Sequence, residues 1–198
     1  MACLSTGRNV CIFFCGKLRY NSNQTVFSLN DIALLLNESN FFTLKQKINY
    51  YVRTGAINSI RRGIYVKNKY NIEELASKIY VPAYISLEYV LQKEGVIFQY
   101  NEQTTVLSYL CRKIEIDNYK LLFRKIKNQI LLNTSGIKRT KGINIATAER
   151  AFLDTLYMNK DFYFDNVSTL NKDLIYKLLP IYESKQLTLR VRKLLEND

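Results

Sequence analysis

The chain has 198 residues, 47% of them hydrophobic and 23% charged, the composition of a folded protein long enough for one large domain or two small ones with their own cores. Its 29 Lys and Arg against 17 Asp and Glu leave a formal net charge of +12, so nucleic acid or an acidic surface is the expected partner class. Histidine is absent, which excludes His-based triads, two-His metal sites and HExxH helices, and the seven glycines form neither a GxxxxGK[ST] nor a GxGxxG phosphate loop.

No apolar run approaches the roughly 20 residues a membrane-spanning helix needs. The apolar segment Val10 to Cys15 is too short for a signal-peptide core, so a cytoplasmic protein with no membrane partner is expected. Cys11 and Cys15 are spaced like half a metal site. With no histidine and no second Cys pair beside them, Cys3, Cys11, Cys15 and Cys111 are expected as reduced, unliganded thiols, with no metal and no cofactor.

In chain order, residues 1–10 are candidates for disorder, Phe13 to Tyr20 reads as a helix, and Thr25 to Phe27 as a short strand that pairs with a later hairpin. Ser28 can cap a helix, with Asp31 in the capping-box position and Leu29, Ile32, Ala33 and Leu36 on one face. Asn37 to Phe41 is polar enough for a turn. Thr43 can then cap a second helix that runs to Arg53 or Thr54, with Gly55 as its C′ residue. On that helix Leu44, Ile48, Tyr51 and Val52 form an inward stripe, and Lys45, Gln46, Asn49, Tyr50 and Arg53 a polar outward one. Ala56 to Ile60 and Ile64 to Lys67 read as paired strands joined by Arg61, Arg62 and Gly63, where glycine supplies the positive φ of a tight hairpin.

Helix, turn, helix and hairpin in this order is the pattern of a winged helix-turn-helix. Lysine and arginine suit phosphates or guanine, and Gln and Asn can pair bidentately with adenine in the major groove. A polar helical face is also what ordinary solvated surface looks like. Charge separates the two readings: residues 1–70 hold ten Lys and Arg against Asp31 and Glu38 alone, the localised basicity of a duplex-binding unit. The candidate DNA-binding residues are therefore Thr43, Lys45, Gln46, Asn49, Tyr50, Arg53, Arg61 and Arg62.

Asn71 to Tyr80 reads as a helix closed by Pro82, which puts a boundary near Lys67 to Tyr70 without a flexible linker. The expected domains are residues 1–69 and 70–198, the first packed on the second. In the second, Ser86 is expected to cap a short helix that Gly95 ends. Thr104 to Leu110, Tyr119 to Ile126 and Gln129 to Leu132 read as strands, in a meander or antiparallel pair. Asn133 to Gly142 reads as a basic loop carrying Lys138, Arg139 and Lys141. Thr147 should cap a core helix with Glu149 in its first turn, and the chain continues into two helices divided by Pro180. The fold class is thus α+β: a winged helix-turn-helix followed by a mixed domain with a small antiparallel-type sheet and several helices.

Four blocks in sequence order, RRGIYV (Arg61 to Val66), YISLEYVLQKEGVI (Tyr84 to Ile97), TTVLS (Thr104 to Ser108) and INIATAERAFLDTLY (Ile143 to Tyr157), resemble the AbiEi family of antitoxins of type IV toxin-antitoxin systems, associated with abortive infection by phage. The resemblance covers roughly residues 25–160, with Ala148 and Arg150 where such antitoxins often show Pro and Lys. It implies a winged helix that binds inverted repeats in its own promoter and represses the operon, and a C-terminal domain that opposes a nucleotidyltransferase-like toxin without necessarily forming a stable complex. One winged unit makes few contacts, so a monomer or weak dimer that pairs on DNA is expected, and the lack of a phosphate loop or an evident acid/base pair argues against an enzyme. Ser86, Gly95, Thr147, Glu149 and Asp154 are explained by caps, helix ends and a helix-surface or hinge hydrogen bond. Two alternatives remain at this stage: a C-terminal domain that enzymatically modifies the toxin or its target, and a winged unit that binds protein or RNA.

Overall fold

The computed structural model describes residues 23–196, which form eight α-helices and two sheets, of three and six strands, in a mixed α+β arrangement. The expected helix over Phe13 to Tyr20, the candidate disorder of residues 1–10 and three of the four cysteines lie outside the described residues; Cys111 is an exposed free thiol. The chain divides into two compact units after Lys78.

The first unit opens with β1 (Val26–Ser28), which runs directly into α1 (Leu29–Leu36). Ser28 and Asp31 form the expected capping box, and Asn37 ends the helix in the left-handed conformation. Helix α2 (Phe41–Arg53) begins earlier than expected. Asn40 caps it, its side chain accepting from the Phe42 and Thr43 N–H groups at 2.9 and 3.2 Å, so Thr43 is the third helical residue and not the cap. Strands β2 (Asn58–Arg61) and β3 (Ile64–Val66) form the expected hairpin, with Gly63 at φ +80° in the turn. The first strand pairs with β3, giving an antiparallel sheet ordered β1-β3-β2. Leu29 N–H donates to the Gly63 carbonyl at 3.1 Å, tying the hairpin turn to the start of α1.

Phe27, Ile32, Leu44, Ile48, Tyr51 and Ile57 make the core of this unit. Helix α3 (Ile72–Ile79) is clamped onto β1, and this is why the division falls after Lys78 and not near residue 70. The buried Glu74 carboxylate accepts from Thr25 N–H and Oγ1 at 2.8 and 2.7 Å, while Lys78 reaches the Val26 carbonyl at 2.7 Å and Asp31 at 2.9 Å.

The second unit is built on a sheet ordered β6-β7-β5-β4-β9-β8, from β4 (Ala83–Ile85), β5 (Gln103–Ser108), β6 (Arg112–Ile116), β7 (Tyr119–Lys125), β8 (Ile137–Thr140) and β9 (Ile143–Ala146). It is mixed, not the small antiparallel sheet expected: β7 runs parallel to β5, and β9 parallel to β4. The charged RKIEI run of β6 carries little strand signal, yet its pairing with β7 makes it an edge strand, where charge is tolerated. Gln129 to Leu132 is helix, α5 (Asn128–Leu132), not strand. A run this short fits either state, and here the adjacent Ile130 and Leu131 are both buried, which half-exposed strand alternation forbids. The expected loop over Asn133 to Gly142 contains β8, hairpinned onto β9.

Four helices complete the unit: α4 (Glu88–Lys93), α6 (Ala148–Met158), α7 (Lys172–Leu178) and, after a 3-10 turn that includes Pro180, α8 (Lys185–Glu196). Thr147 caps α6 as expected. Ser86 does not cap α4; Thr105 on β5 instead accepts from the Tyr89 N–H, and Ser86 Oγ donates to Asp154 at 2.7 Å. Asp154 is not at a surface or hinge. It is fully buried and also receives Tyr182 OH at 2.7 Å and Tyr84 OH at 3.2 Å. Arg150, one turn earlier and equally buried, lies 3.6 Å from it and donates to the Ile130 and Ser135 carbonyls at 2.8 and 3.1 Å. Burial and the Asp154 charge push the Tyr84 and Tyr182 phenols well above their ordinary range, so both stay protonated donors. Gly136 leaves the room this needs, because a Cβ there would sit 3.0 Å from Leu178 and 3.1 Å from Arg150.

Removing one partner of a buried ion pair strands the other charge, so Asp154→Leu should destabilise the protein by about 3–5 kcal/mol in urea denaturation, and the Arg150→Leu/Asp154→Leu double variant should recover part of that loss. Singles within about 0.5 kcal/mol of wild type, the ordinary range for surface changes, would contradict the buried pair. Asp31 supplies a pH test for the first unit. Burial alone raises its pKa, but the Ser28 N–H and Lys78 ammonium outweigh that and hold it below its ordinary 3.8. Its contribution is therefore complete above that value and is lost as pH falls through the lower folded value; Asp31→Asn should flatten this acid limb of a stability–pH curve.

Candidate nucleic-acid interface

Helix α2 has two faces because its apolar residues recur at helical spacing. At about 100° per residue, Leu44, Ile48 and Tyr51 point to one side, and all three are at most 3% exposed. Phe42, Gln46, Asn49 and Arg53 follow one another at spacings of four, three and four on the opposite side, and each is exposed. The outward stripe is therefore a direct consequence of packing the inward one.

The eight sequence-derived candidates do not all lie together. Lys45, Gln46, Asn49, Tyr50 and Arg53 are exposed along the outer half of α2, with Tyr50 edge-on to Tyr51 at 5.8 Å between ring centroids. Lys45 Nζ sits 4.4 Å from the Phe41 ring centroid, which holds the ammonium close to the helix. Thr43 is half-buried at the flank, its N–H already taken by Asn40. Of the two hairpin arginines, Arg62 is exposed in the turn, whereas Arg61 is half-buried as the last residue of β2, beside an irregularity in the β2–β3 register.

No acidic residue occurs in α2. Glu38, in the preceding turn, is matched by Lys47 at 2.6 Å, and that ammonium together with the Asn40 N–H holds the Glu38 carboxyl below its ordinary value. With Lys47 committed to Glu38, Lys45, Arg53 and Arg62 give the outer face its positive sign. Arg53 also lies in the last helical turn, where a cation complements the helix dipole.

Two exposed aromatics begin α2, Phe41 at 55% on its flank and Phe42 at 70% on the outer stripe, and neither is among the expected residues. The expected turn over Asn37 to Phe41, with Thr43 as the cap, leaves both outside the helix. The signal that would have placed them is Asn40, an Asx cap two residues before Phe42.

The second unit brings Lys138, Arg139 and Lys141 together as exposed residues on the β8–β9 hairpin, a strand edge and not an irregular loop. Its buried charges, Arg150 and Asp154, have no solvent-exposed surface and tie segments of the unit together.

Because the α2 stripes oppose one another, Ile48→Ala should cost about 2–5 kcal/mol in thermal or chemical unfolding, while Gln46→Ala and Asn49→Ala should move stability by no more than about 0.5 kcal/mol. Comparable losses at all three positions would mean the outer stripe is packed. No protein-family model matches this chain, and no curated protein matches it.

Proposed function

We propose that the first unit is a winged helix-turn-helix and that the protein is an antitoxin of the AbiEi kind, a non-enzymatic repressor of its own operon. The observation that carries the reading is the outer face of α2: cationic, free of acids, bearing two amide side chains, and set opposite the core stripe. An α-helix of this width fits the major groove, where Lys45, Gln46 and Asn49 would lie nearest the bases. Arg62, with Arg61 behind it, would grip adjacent phosphates as the wing. One such unit makes few contacts, so occupancy of an inverted repeat by two copies supplies useful affinity.

The second unit would carry antitoxicity against a nucleotidyltransferase-like toxin, a reading that rests on the sequence resemblance over residues 84–157. The buried Arg150–Asp154 pair in this region serves as scaffold in that account.

A gel-shift titration on duplex DNA carrying the repeats upstream of the gene, run at several salt concentrations, tests the DNA half. Arg61→Ala/Arg62→Ala should weaken binding to every duplex alike and lower the slope of log K against log salt by about two, near 0.9 for each lost phosphate contact. An unchanged slope would remove the wing from the interface. Failure of the wild-type protein to retard any duplex, with retention of structured RNA instead, would replace DNA by RNA as the partner.

A further inference from the structure

Phe42 is a large apolar side chain held 70% in solvent on a regular helix, in the same stripe as Gln46, Asn49 and Arg53. Burying its ring would be favourable, and nothing in the packing of α2 uses it, since the core stripe lies on the far side. Its neighbour Phe41 differs, because the Lys45 ammonium sits over that ring.

We infer that Phe42 is a base-reading residue that packs on the 5-methyl group of a thymine, and that α2 therefore selects a thymine within about two or three base pairs of an adenine read by Gln46 or Asn49. The inference rests on the DNA-binding reading above and specifies what that face recognises. In the major groove the thymine methyl is the one apolar group that a base pair presents, and phenylalanine is among the side chains that meet it. Gln and Asn, one and two turns further along the stripe, have the paired donor and acceptor that adenine N7 and N6 require. From Phe42 to Arg53 the stripe rises about 16 Å, the length of about five base pairs, so these side chains address neighbouring steps of one site. The cations around them complement a polyanion, which makes a duplex a better occupant for this apolar side chain than an apolar protein groove.

The test alters the DNA, leaving the protein intact. The full-length chain is used to enrich a randomised duplex library, and each thymine of the recovered sequence is replaced in turn by uracil, which lacks only the methyl group. One replacement should weaken wild-type binding about fourfold, the value of one buried methyl, and should have less than a twofold effect on Phe42→Ala. If no thymine is sensitive, or if the sensitive position stays sensitive in Phe42→Ala, the inference is overturned. A library that returns no preferred sequence while random duplex is still bound also overturns it and leaves DNA binding standing. Absence of any duplex binding removes both. Because the ring is exposed, Phe42→Ala should keep the wild-type melting temperature, which separates lost recognition from lost folding.

Discussion

The first unit is organised by burying one stripe of α2. Leu44, Ile48 and Tyr51 meet Phe27, Ile32 and Ile57, and each such side chain contributes roughly 1.5–3 kcal/mol when fully removed from water. A helix cannot rotate about its axis without exposing that stripe. The direction in which Phe42, Gln46, Asn49 and Arg53 point is thus fixed by hydrophobic packing and not by contacts of their own. The Asn40 cap and the Glu38–Lys47 pair set where the helix starts, and so determine which residues join the stripe.

The hairpin depends on the same core at one remove. Its turn is tied to the start of α1 through the Leu29–Gly63 backbone bond, and its second strand is zipped to β1. Lys78 then connects α3 to the carboxylate of the α1 capping box. Helix, hairpin and clamp are three local solutions to satisfying polar groups around one small apolar centre. In the second unit an ionic pair plays a comparable part inside a larger apolar core. Arg150 satisfies two carbonyls from the α5 region, and Asp154 collects three hydroxyls, from β4, the residue just after it and the 3-10 turn, so one pair of side chains joins segments far apart in sequence. Such a pair costs desolvation and returns geometry: it specifies one arrangement of those segments.

Legibility in the sequence follows how local each determinant is. The Ser28–Asp31 capping box, the inward stripe of α2, the glycine of the hairpin turn and the Thr147 cap were all readable, because each depends on residues within one or two turns of chain. The sheet of the second unit was not. The pairing of β7 with β5 and of β9 with β4 joins distant segments in parallel, and β6 was hidden by the charges an edge strand tolerates. Ser86 and Asp154 look in the sequence like local hydrogen-bonding residues, yet each is the other's partner across 68 positions. At the candidate interface, taking Thr43 for the cap in place of Asn40 displaced the helix start by three residues, enough to leave Phe42 unread.

The central claim is that the outer face of α2 meets duplex DNA. The most direct measurement is the backbone amide NMR spectrum of the isotope-labelled protein during addition of a duplex taken from the region upstream of its gene. The account predicts that perturbations concentrate in residues 41–53 and at Arg62 and Gly63, while the amides flanking Arg150 and Asp154 stay in place. Perturbations confined to the second unit, or a spectrum unmoved by saturating duplex, would contradict it.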